Sequence, residues 1–182
     1  MDKMRIDTLE VAGINIAIMS MRNPKASWHK SDSYYDDLTG DFVIGEKDLK
    51  LAKQLSMAGR EHAKYLRMIQ VWANVHMPRE WWSEADTYKF GVKNSTSTMF
   101  RLMQDPLPLT PKDFVYCFED RDHLMIDIEY LNGLKKEWKR CQENRDKEGM
   151  DRIRVRAKRL LPEGYIQMRT WNTNYAELMN MY

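Results

Sequence analysis

Apolar positions along the chain follow two different periods. Leu9–Met19 is almost continuously apolar, rich in Ile and Val, and predicts a first strand. Arg22–Gly45 holds Asn23-Pro24, a Ser/Asp cluster and Gly40, and reads as a loop. Glu46–Ala63 is expected to be a helix. Leu51, Ala52, Leu55, Ala58 and His62 stand at offsets 0, 1, 4, 7 and 11, the stripe a helix turns toward a core. Tyr65–Met77 alternates instead, with Leu66, Met68, Val71, Ala73, Val75 and Met77 as partners along a strand.

Pro78 suits the first position of a helix, where its missing N–H would have no partner anyway. Trp81, Trp82, Ala85 and Tyr88 continue a helical stripe up to Gly91. Asn94–Met103 is expected to be a short helix capped by Asn94 or Ser95. Pro106, Pro108 and Pro111 force a loop. Leu124–Glu143 carries the clearest helical pattern, with Leu124, Ile128, Leu131, Trp138 and Cys141 on one face. Gly149–Leu161 is a further helix, stopped by Pro162-Glu163-Gly164. Tyr165–Trp171 reads as a strand. Asn174–Tyr182 begins a last helix, which the end of the chain is expected to cut short. This order predicts an α/β (α+β) fold, one domain over residues 1–182 with its sheet covered by long helices.

Composition narrows the function classes. The chain is 43% hydrophobic and 31% charged, which excludes a fibrous or wholly disordered protein. Lys and Arg number 29 against 27 Asp and Glu, a net charge of +2, so the chain as a whole is no polybasic nucleic-acid arm. Methionine and tryptophan are abundant, at 14 and 6 residues. Cys117 and Cys141 build neither a disulfide framework nor a zinc site and are expected to be reduced thiols of a cytoplasmic protein. The apolar start is interrupted by Glu10 and Asn15, and is too short and polar for a leader or a membrane span. His29, His62, His76 and His123 form no close ligand pair, so no metal is expected. No phosphate-binding glycine loop and no nucleophile elbow is present.

Three segments could carry chemistry. Arg152–Arg159 holds five cations in eight residues and no anion. It is either a solvated helix face or a phosphate site built on arginine forks. Trp81-Trp82 with Tyr88 is either core or a stacking platform. Lys93-Asn94-Ser95-Thr96-Ser97-Thr98 is either a helix cap with its loop or a nest for a phosphate or base edge.

The C-terminal stretch RAKRLLPEGYIQMRTWNTNYAELMN, Arg156–Asn180, resembles a segment of flavin-dependent thymidylate synthases, A-R-x-x-L-P-x-x-x-Y-T-x-F-x-W-T-x-N-A-R-x-L-x-N. Leu161, Pro162, Trp171, Asn174, Leu178 and Asn180 fall on that pattern, with one residue of length difference between Pro162 and Trp171. The family's signature, R-H-R-x-x-S-x-N-E-x-S-x-R-Y, follows a strand ending in Ala-Pro. Pro78 and Asn94 keep its sixteen-residue spacing. Read without gaps, Asn94 and Ser97 match, Lys89 replaces the second arginine and Phe100 the final tyrosine. Thr87, Tyr88, Val92, Ser95 and Met99 depart from it.

The resemblance implies flavin binding, as FAD, by Asn174, Asn180 and Asn94. It implies nucleotide or phosphate binding by Lys89, Ser97, Arg156, Lys158 and Arg159. It also implies a homotetramer with composite pockets, and the pattern is similar to a divergent, phage-encoded branch of the family. Three readings follow. The first is a nucleotide or flavin binder that senses or sequesters its ligand without thymidylate synthase activity. The second is an active flavin-dependent enzyme converting dUMP to dTMP. The third is an interaction or inhibitor module reusing the fold, with Met and Trp at its contacts. A nucleic-acid partner and a membrane are not expected.

Overall fold

A computed structural model describes residues 4–181. The first apolar stretch is two elements, not one strand. β1 (Arg5–Ala12) ends at Gly13, and α1 (Ile14–Ser20) follows. Gly13 makes the break. Its φ of +85° is a conformation side chains resist, and its carbonyl accepts the first helical bond from the Ala17 N–H at 2.9 Å. Burial of Ala17 and Ile18 on one helical face outweighs the strand preference of the isoleucines.

The Arg22–Gly45 loop contains a small antiparallel pair, β2 (Tyr34–Tyr35) and β3 (Phe42–Val43). α2 (Glu46–Met57) stops short of the predicted Ala63, and the chain turns at Gly59, with φ +105°. Ala63–Met68 is a tight helical turn rather than strand. β4 (Gln70–Pro78) starts after it and keeps the alternation, burying Val71, Ala73 and Val75. Pro78 closes β4 in an extended conformation, φ −66° and ψ 159°, one residue ahead of α3 (Arg79–Ala85). Trp82 and Ala85 are buried in α3, while Tyr88 lies beyond it. Asn94 and Ser95 belong to β5 (Val92–Ser95) and cap no helix. The cap of α4 (Thr98–Gln104) is Ser97, whose Oγ accepts from the Phe100 N–H at 3.4 Å.

α5 (Arg121–Glu143) and α6 (Lys147–Leu160) are the long helices, followed by β6 (Ile166–Asn174) and α7 (Tyr175–Met181). Tyr182 lies outside the described residues. Four strands form one sheet in the order β1–β4–β6–β5. The α/β (α+β) class with long helices is the observed one.

The chain divides into two compact units. One holds Asn74–Thr87 and Lys93–Thr170 with the start of the chain up to Asp7. The other holds Thr8–Ala73, Tyr88–Val92 and the end from Trp171. The first has a core built on α5 and α6, with Leu124, Ile128, Leu131, Leu134 and Trp138 facing Ile153 and Ala157. The second packs Ala17, Ile18 and Met21 against Ala52, Tyr65, Leu66 and Ile69.

Candidate functional site

Asn174 and Asn180 line one cavity of about 330 Å³ in the second unit. Their positions follow from α7. Asn174 ends β6 and caps the helix, its Oδ1 accepting from the Glu177 N–H at 3.0 Å. That bond occupies the oxygen and leaves the amide Nδ2 as the free end. Asn180 follows six residues later, a little under two turns along. Arg60, Arg67, Phe90 and Glu177 line the same cavity. Glu177 is 7% exposed, and among the described residues its carboxylate has no hydrogen-bond or ion-pair partner. These four residues were not singled out from the sequence. Glu177 carried a signal, since it sits three residues from each asparagine and so shares a helical face with Asn180.

Gly91 approaches the neighbouring strand closely. Its φ is +115°, and a Cβ there would press on the Asn172 carbonyl oxygen. A glycine is required at this step beside Phe90.

The other predicted residues stand apart from this cavity's lining. Asn94 is an exposed strand residue of β5, and Ser97 caps α4. The hydroxyl-rich run bonds into its own unit. Thr96 donates its N–H and its Oγ1 to the Met168 carbonyl, each at 3.0 Å. Gln167 Nε2 donates to the Thr96 carbonyl and to Thr98 Oγ1, each at 2.9 Å. Lys93 Nζ donates to the Ala85 carbonyl at 2.8 Å. The cap-and-loop reading therefore accounts for this segment. Lys89 is exposed.

Arg156 and Arg159 border a shallow depression on α6 together with Arg152. Arg156 lies over the Tyr130 ring at 5.2 Å, a cation–π contact. Arg154 is paired with Asp151. Lys158 is exposed and is not part of that depression. Trp82 is fully buried, with Nε1 donating to the Gln167 carbonyl at 2.9 Å and Arg169 over its ring at 4.4 Å. It is core, as the blander reading of Trp81-Trp82 held.

The first unit has a larger cavity of about 830 Å³, lined by His76, Arg101, Asp105, Lys135 and Tyr165 among others. Lys135 is nearly buried, with Nζ donating to the Leu107 carbonyl at 2.5 Å. Burial pulls its ammonium below the ordinary lysine range, and burial pushes the Tyr165 phenol up. Both carboxylates here serve their own loops. Asp105 accepts from the Leu107 N–H and Asp113 from the Thr110 N–H. Among the described residues no group of three His, Cys, Asp or Glu side chains could hold a metal, and no helix is long and apolar enough to cross a membrane.

No protein-family model and no curated protein matches the chain. Solved structures do match it in fold. Thymidylate synthase X from Helicobacter pylori, with FAD and dUMP, is 18% identical with a TM-score of 0.69, covering 97% of this chain and 81% of that one. A second structure of that enzyme, also with FAD and dUMP, gives a TM-score of 0.70 over 97% and 82%. A UMP/dUMP methylase, PolB from Streptomyces cacaoi, bound with 5-Br UMP, is 13% identical with a TM-score of 0.58 over 100% and 76%. The flavin-dependent thymidylate synthase fold expected from Arg156–Asn180 is the fold observed.

Proposed function

We propose that residues 1–182 form one thymidylate synthase-like domain that binds a pyrimidine nucleotide, a flavin or both, in a homo-oligomer, without making thymidylate. The observation that carries this reading is the shared cavity of Asn174 and Asn180 in a chain whose fold matches thymidylate synthase X over 97% of its length. Those are two of the three asparagines that the sequence resemblance assigned to the flavin; Asn94 is not in this lining.

The residues present fit a flavin ring. The cavity is near the lower limit of small-molecule pockets, roughly 300 Å³. It offers a free amide from Asn174 and a second from Asn180. FAD, when bound, supplies hydride chemistry that no side chain has. The chain's own residues bind and orient. Loss of synthase activity follows from Thr87, Tyr88 and Met99, which stand where the family's signature has Arg, His and Arg. Each missing arginine removes a charge-assisted bond of about 1.5–3 kcal/mol to a charged partner.

The test is equilibrium binding of FAD and dUMP to the purified protein, followed by a turnover assay with a folate-borne methylene. Saturable binding without dTMP formation is the expected result. Thymidylate production would favour the active enzyme. Absence of binding by both ligands would overturn the proposal.

A further inference from the structure

We propose that Glu177, between Asn174 and Asn180, reads the imide edge of a pyrimidinedione ring, the C=O, N–H, C=O edge shared by a uracil base and a flavin. The inference rests on the nucleotide or flavin reading above and names the chemistry recognised at that site. Glu177 is more than nine-tenths buried, lines the cavity, and has no partner for its carboxylate among the described residues. Its oxygens are not among the sealed unpartnered atoms, so they open onto the cavity, where a ligand N–H can take the place of water. A ligand N–H is the missing donor, and a bond to an ionised acceptor is stronger than a neutral one.

The flanking amides complete the pattern. Asn174 has its oxygen committed to the Glu177 N–H at 3.0 Å, so its Nδ2 is left to donate. Asn180 lines the same cavity and brings a second amide. The site thus offers donor, acceptor and donor. The imide edge of uracil or flavin presents acceptor, donor and acceptor. A cytosine, whose N3 is an acceptor and carries no N–H, does not match the sequence of three.

The test uses the full chain and two pairs of probes. One pair is lumiflavin and its N3-methyl derivative, the other dUMP and N3-methyl dUMP. The expected result is that wild-type protein binds one unmethylated probe and loses about ten-fold or more in affinity when its imide nitrogen is methylated. The pair that shows the loss identifies the source of the ring. Glu177→Gln should weaken the unmethylated probe by a similar factor and abolish the discrimination. Glu177→Asp should recover part of it. The methylated probes act on unaltered protein, so a folding defect in either variant leaves the result readable. Equal affinity for methylated and unmethylated probes overturns the inference while the function reading stands. Failure of wild type to bind FAD, lumiflavin or dUMP overturns both.

Discussion

Asp48 is fully buried on α2, and its charge survives there because three side chains converge on it. Arg22 Nε donates to Oδ1 at 2.6 Å, while Ser31 and Ser33 hydroxyls donate to Oδ2 at 2.5 and 2.6 Å. Burial pushes this carboxyl up, but the Ser31 and Ser33 bonds and the Arg22 guanidinium together hold it below its ordinary value. Asp48→Asn would leave the buried Arg22 charge without its counterion, and we expect it to cost about 3–5 kcal/mol in urea unfolding. The pH dependence has a definite sign. A depressed carboxylate contributes stability that is fully present above its unfolded pKa. That stability fades as pH falls through the folded value. The wild-type urea midpoint should therefore drop through the acid range, and Asp48→Asn should flatten that drop. A second residue-scale test concerns Gly91. At φ +115° and hard against the Asn172 carbonyl, Gly91→Ala should destabilise by roughly 1–3 kcal/mol. A neutral result would mean the segment relaxes freely.

Elements were legible where one strong pattern acted alone. The α5 stripe set its helix, and the alternation in Val71, Ala73 and Val75 set β4. They were misread where tertiary burial or a single glycine decided. Gly13 cut one apolar stretch into strand and helix, and Gly59 ended α2 before Ala63. Lys135 falls in register with Leu124, Ile128, Leu131 and Trp138, so its burial was readable from the spacing, yet its polarity hid it. The candidate site was readable in Asn174 and Asn180 through resemblance. Glu177 needed the fold, because a lone glutamate in a helix is ordinarily solvated. Ser97 matches a binding motif and also caps an element. Ser97→Ala should cost about 1 kcal/mol as a lost cap, and Ser97→Asp should restore it. Chemical denaturation reads that pattern. If Ser97 instead held a phosphate, Ser97→Asp would leave stability alone and lower dUMP affinity.

At the scale of the whole molecule, the cavity wall and the exposed apolar surface meet. Met57 and Phe90 line the Asn174–Asn180 cavity, yet they are 87% and 68% exposed. Large apolar side chains left in water at the mouth of a cavity are the kind of surface that a partner or ligand covers. The proposed homo-oligomer supplies such a cover, and it ties binding to assembly. A ligand at about 100 times its dissociation constant adds roughly 2.7 kcal/mol to a protein that binds only when folded. In a chain of this size each kcal/mol shifts the melting temperature by about 2–4 °C. FAD or dUMP should thus raise melting by roughly 5–10 °C. If subunits complete the cavity, Met57→Ser with Phe90→Ser should lower the sedimenting mass and, in the same protein, shrink that ligand-induced shift. Neither substitution removes a polar group that could touch the ligand, so loss of the shift without loss of mass would assign the two side chains to the ligand itself. Unchanged mass together with an unchanged shift would remove assembly from the account of this site.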